Sequence, residues 1–117
     1  MIVGVGVDVV DLGRFERAIA RTPGLTERLF AVSERLLPVH SLAARFAAKE
    51  ALMKALGDTT GFSWQDMVVT GDDNRKPAFT LTGAIEQSAA ARGVTTTHLS
   101  LSHDAGVAIA FVVLEAE

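Results

Sequence analysis

From Ile2 to Val10 the chain alternates valine with glycine or aspartate, a period of two that predicts an extended strand. Asp11 then stands where it can cap a helix over roughly 12–21, and Pro23-Gly24 ends that helix. Thr26 to Leu37 predicts one or two short helical turns stopped near Pro38. The longest periodic run, SLAARFAAKEALMKALG, consists almost entirely of the strongest helix formers, with Ser41 as a possible N-cap and Gly57 as its stop. Beyond the turn-rich GDTTGFS, the segments QDMVVTG and KPAFTLTG predict two short strands joined by the polar turn DDNR. Residues 83–92 predict a further helix, and THLSLSH and GVAIAFVVLEA predict a closing hairpin around Asp104-Ala105-Gly106. This order of elements implies one α+β domain over residues 1–117, with a small antiparallel sheet packed with helices.

In the first strand Val3, Val5, Val7 and Val9 share one face, which can pack into a core, while Gly4, Gly6, Asp8 and Val10 share the other. Asp8 therefore stands beside glycines that let a ligand or another backbone approach closely. A dinucleotide-binding GxGxxG fingerprint is excluded, because glycine would be needed where Val9 stands. In the long helix Leu42, Phe46, Met53 and Leu56 follow helical spacing as a buried stripe. Arg45 with Lys49, and Glu50 with Lys54, fall one helical turn apart, and for Glu50 with Lys54 a solvated ion pair would show the same spacing. In LSLSHDAG, Ser100 and Ser102 face away from Leu99, Leu101 and His103, and an imidazole at a strand end can donate to phosphate.

Composition narrows the classes further. At 117 residues the domain lies near the small end of the usual range, so burial between subunits would help it. A hydrophobic share of 49% and a charged share of 21% mark a chain that folds. The absence of cysteine excludes a disulfide framework and a thiolate metal site, leaving oxygen or imidazole ligands and a hard cation such as Mg²⁺. No signal-peptide pattern is present, and no apolar stretch approaches the ~20 residues that span a bilayer, so the expectation is a cytoplasmic protein without a membrane partner. A net charge of −3 argues against nucleic-acid binding. Within that acidic total, Arg14, Arg17 and Arg21 fall on one stripe of the first helix, and Arg28 follows soon after.

The stretches GVGVDVVDLGRF, LAARFAAKEALMKALG and HLSLSHDAGVAIAFVVLEA, in this order and with these gaps, resemble the holo-acyl-carrier-protein synthases, the short type of 4′-phosphopantetheinyl transferase. The similarity runs over nearly the whole chain, FSWQDMVVTGDDNRKPAFTLTG looks like that family's strand pair, and RFAAKEALMK is its most specific motif. Departures from the pattern include Ala31, where threonine is frequent, and DDNRK before Pro77, where a glycine is common.

The resemblance implies transfer of the 4′-phosphopantetheine arm of coenzyme A to a serine of an apo acyl carrier protein in fatty acid biosynthesis, with release of adenosine 3′,5′-bisphosphate. It implies a homotrimer with coenzyme A sites between subunits. Asp8 and Glu50 would be the ligands of one Mg²⁺, with Gly4 and Gly6 leaving the space around Asp8 open. Lys54 would meet the pyrophosphate and the departing phosphate, while Arg45 and His103 would hold the nucleotide end near its 3′-phosphate. Asp8, Glu50 and Lys54 would carry catalysis, the base being either Glu50 or a water on the cation. Arg14, Arg17, Arg21 and Arg28 would steer the acidic carrier protein. Two other readings use the same residues: a Mg²⁺-dependent hydrolase of a nucleotide pyrophosphate, and a module that binds carrier protein or nucleotide without transfer.

Overall fold

The computed structural model describes residues 1–71 and 76–117, so the predicted DDNR turn lies outside the described residues. β1 (Ile2–Asp11) leads straight into α1 (Leu12–Arg21), because Asp11 stays extended and its carboxylate accepts the Arg14 backbone N–H at 2.8 Å. After the short α2 (Leu25–Leu29) and a series of turns comes α3 (Val39–Leu56). α3 starts ahead of the expected Ser41 cap, because the Pro38 carbonyl already accepts the Ser41 and Leu42 N–H groups. Gly57, at φ 82, ends it as expected. A 3₁₀ turn (Trp64–Asp66), β2 (Met67–Gly71), β3 (Pro77–Leu81), α4 (Gly83–Ala91), β4 (Val94–Asp104) and β5 (Val107–Ala116) follow.

β1, β5 and β4 form one antiparallel sheet with β5 in the middle, and β2 pairs with β3 separately. The register sets Val7 beside Phe111 and Phe111 beside Ser100, so the sheet has an outer face that carries Val5, Val7, Val9, Ile109, Phe111 and Val113. Its inner face carries Gly4, Gly6, Asp8 and Val10 on β1, with Ala108, Ala110, Val112 and Leu114 on β5. α3 packs on the inner face, where those β5 side chains are buried together with Ala44, Ala47, Ala48, Ala51, Leu52 and Ala55 of the helix.

The two faces of β1 are therefore reversed from the expectation. Val5, Val7 and Val9 are 53%, 48% and 58% exposed, and the glycine face is the one packed against the core. Main-chain contact explains the choice: a Cβ on Gly6 would lie 1.9 Å from the Ala51 carbonyl oxygen, and one on Gly4 would lie 2.2 Å from that of Ala55. Of the two approaches that glycine allows, the helix backbone takes this one, and the space beside Gly4 and Gly6 is filled rather than open. β5 likewise buries one face only, with Phe111 left 46% exposed. In α3 the expected stripe is buried at Leu42 and Leu56 and half-buried at Phe46 and Met53, while the alanines bury the helix on further sides.

Candidate active site

Docking α3 on β1 brings Asp8 and Glu50 to one place although they lie far apart in sequence. Lys54, one turn beyond Glu50, donates from Nζ to Asp8 Oδ1 at 3.0 Å and to the Val7 carbonyl at 3.0 Å. The expected helical pair of Glu50 with Lys54 is thus superseded by a pair of Lys54 with Asp8 across the strand and helix. Burial, and after it the Asp8 carboxylate, push the Glu50 carboxyl above its ordinary value, while Lys54 pulls it back. Two carboxylates therefore lie within the field of one lysine, which is bonded to Asp8.

From this cluster a groove of about 810 Å³ runs along α1. Asp8 and Glu50 line its head, Phe15, Leu25, Leu29, Phe46 and Trp64 give it apolar walls, and Arg14, Arg17, Arg21 and Arg28 all line it. The arginine stripe legible in the sequence is thus joined to the carboxylates by one continuous surface. Arg45 and His103 stand elsewhere: Arg45 Nε donates to the Val69 carbonyl at 3.4 Å and lies 4.0 Å from Glu34, while His103 Nε2 lies 3.0 Å from the His40 carbonyl. Among the described residues, no hydrogen bond or ion pair joins either of them to Asp8, Glu50 or Lys54 within one chain.

Residues 4–112 match the model of the 4′-phosphopantetheinyl transferase superfamily. This chain belongs to that superfamily. A holo-[acyl-carrier-protein] synthase from Clavibacter sepedonicus is 64% identical over 117 residues, covering 100% of this chain and 98% of its own. The crystal structure of the holo-[acyl-carrier-protein] synthase from Neisseria meningitidis is 33% identical and superposes with a TM-score of 0.89, over 98% of this chain and 99% of that one. The Helicobacter pylori enzyme in complex with coenzyme A is 32% identical with a TM-score of 0.83, over 95% of this chain and 99% of that one.

Among the described residues of this phosphopantetheinyl transferase, no three histidine, aspartate or glutamate side chains gather into a ready metal cage. Asp8 and Glu50 nevertheless fit a hard divalent cation, which characteristically takes one or two carboxylates and leaves its other positions to water and phosphate oxygens. Burial raises the Glu50 carboxyl first and the neighbouring Asp8 charge adds to it, and that second contribution is the electrostatic reason for a cation there.

The sequence reading missed the transferase's most buried charges. Lys49 and Glu34 are 0% and 1% exposed and form an ion pair at 2.8 Å, so Lys49 turns inward to Glu34 although Arg45 lies one helical turn before it. Burial pulls the Lys49 ammonium below its ordinary value, and the hydrogen bond and charge of Glu34 oppose that pull. A signal was present: Lys49 lies halfway between Leu42 and Leu56, about two turns from each, and so on the buried stripe itself. Phe46 and Trp64, whose ring centroids are 5.5 Å apart, were likewise legible as apolar but not as walls of the groove.

Proposed function

We propose that the chain acts as a single domain over residues 1–117, transferring 4′-phosphopantetheine from coenzyme A to a serine of an apo acyl carrier protein. The products are holo acyl carrier protein and adenosine 3′,5′-bisphosphate, and the setting is fatty acid biosynthesis in the cytoplasm. The observation that carries this reading is the groove that links Asp8, to which Lys54 is bonded, and Glu50 to four arginines, in a chain whose relatives are holo-[acyl-carrier-protein] synthases. The coenzyme A complex of the Helicobacter pylori relative supports the donor substrate.

Each residue takes a role that its surroundings support. The proton of the attacking serine hydroxyl passes either to Glu50, which lines the groove, or to a water beside it. The serine oxygen bonds to the pantetheine-side phosphorus of the pyrophosphate, and the bond from that phosphorus to the bridging oxygen breaks. The electron pair leaves on adenosine 3′,5′-bisphosphate. Lys54, already held at the Asp8 carboxylate and half-exposed, meets the phosphate oxygens as their negative charge grows. Asp8 and Glu50 would hold Mg²⁺, which when bound supplies charge neutralisation at the pyrophosphate. The arginines orient the acidic carrier protein along the groove.

A homotrimer with coenzyme A between subunits accounts for two further features. The outer sheet face exposes Val5, Val7, Val9 and Phe111, which a second subunit would cover. Arg45 and His103 have separate partners within one chain, and a site between subunits would let Arg45 of one protomer and His103 of its neighbour grip one coenzyme.

Purified protein incubated with coenzyme A, Mg²⁺ and an apo carrier protein, followed by mass spectrometry, tests the proposal. The expected result is addition of one phosphopantetheine group to the carrier protein. Loss of coenzyme A without addition would identify a hydrolase instead, and no turnover with retained binding would identify a binding module.

A further inference from the structure

Glu34 and Lys49 lie outside the cluster of Asp8, Glu50 and Lys54, yet they occupy the junction of five segments. Lys49 Nζ donates to the Leu29 carbonyl at 2.8 Å, to Glu34 Oε1 at 2.8 Å and to the Trp64 carbonyl at 3.3 Å. Glu34 also accepts the Ala31 N–H at 3.0 Å and the Val69 N–H at 3.1 Å. The Phe30 ring covers the ammonium, with its centroid 4.9 Å away. One buried pair therefore ties together the end of α2, the turn that follows it, α3, the 3₁₀ turn and β2.

For stability alone such a pair is a poor solution, because a well-packed apolar pair of the same volume commonly serves as well. An apolar pair could not, however, satisfy the backbone groups of Leu29, Trp64 and Val69 that end at these two side chains. Leu29 and Trp64 are wall residues of the groove, and Glu50, next to Lys49 in the chain, lies at its head. We propose that Glu34 and Lys49 are positioning residues, whose buried pair fixes the groove wall carrying Leu29 and Trp64 at its distance from Glu50. They act through that wall, on whatever fills the groove, and touch no reacting atom. Only the kinetic consequence of this proposal rests on the groove's being the carrier-protein site.

Trp64 is the one tryptophan of the chain, so its fluorescence reports the wall directly. The double variant Glu34→Gln/Lys49→Met removes the pair without leaving a lone buried charge. It is expected to unfold cooperatively on heating, to show red-shifted and more readily quenched Trp64 emission, and to raise KM for the carrier protein about tenfold with kcat within about threefold of wild type. Should the double variant not fold, Glu34→Asp, which keeps both charges and shortens the bridge by one methylene, carries the same readouts. A folded variant with wild-type quenching and wild-type KM would leave the pair a stabilising contact only and overturn the proposal. So would a fall in kcat with KM and quenching unchanged, since that would place the effect on Glu50 rather than on the wall. A wild-type protein that modifies no carrier protein would sink the functional reading, while the Trp64 measurement would still decide the position of the wall.

Discussion

Gly6 and Asp8 share the inner face of β1, and the first sets how near α3 comes to the second. Gly6→Ala should cost about 1–3 kcal/mol or more, because its Cβ would meet the Ala51 main chain, which cannot rotate away. The midpoint of chemical unfolding measures this. Gly13→Ala is the control: its Cβ would meet the end of the Arg17 side chain at 3.1 Å, and its stability should stay within about 1 kcal/mol of wild type. Asp8→Ala and Glu50→Ala should each remove most transfer activity and leave the circular dichroism unchanged, since neither side chain belongs to the apolar core. Near-normal turnover of Asp8→Ala at limiting Mg²⁺ would refute the metal assignment. Lys54→Ala should lower turnover at saturating Mg²⁺ with the Mg²⁺ requirement little changed, because it would delete the proposed phosphate contact and, besides that, only a partly exposed ion pair. At this scale the sequence showed that Asp8 stands beside two glycines but not what approaches them. A bare strand face admits ligand and helix backbone alike, and only the packing of α3 decides between them.

Among the elements, α1 was readable to its limits, because Asp11 caps it locally and the proline-glycine pair follows its last turn. α3 was readable in type and end but not in its start, where a main-chain carbonyl replaces the side-chain cap. Strand alternation likewise separates two faces of β1 without saying which one turns inward. Reversing charge at Arg14 and Arg21 tests the role of α1 apart from the chemistry at the groove head. The double variant Arg14→Glu/Arg21→Glu should keep coenzyme A binding and lose specificity constant for the carrier protein, chiefly through slower association. Wild-type activity at subsaturating carrier protein should fall as salt rises, and the double variant should respond much less. Kinetics at low and high ionic strength measure both slopes. An unchanged constant and an unchanged slope would reduce the stripe to a solvated face.

At the scale of the whole molecule, a sheet with α3 on one side and Val5, Val7 and Phe111 about half exposed on the other is half a sandwich. Val7→Asp or Phe111→Asp should therefore yield a monomer in light scattering and lower coenzyme A affinity, whereas wild type should scatter as a trimer. A wild-type protein that scatters only as a monomer would remove the intersubunit coenzyme site as well. The sheet order β1-β5-β4 also has a consequence in time. β1 is synthesised before its antiparallel partner β5, which pairs Val113 with Val5, and α1 to β4 all lie between the two in the chain. The valine-rich strand that bears Asp8 must therefore wait unpaired while α1 to β4 are synthesised, and the sheet closes only once β5 is available to sit between β1 and β4.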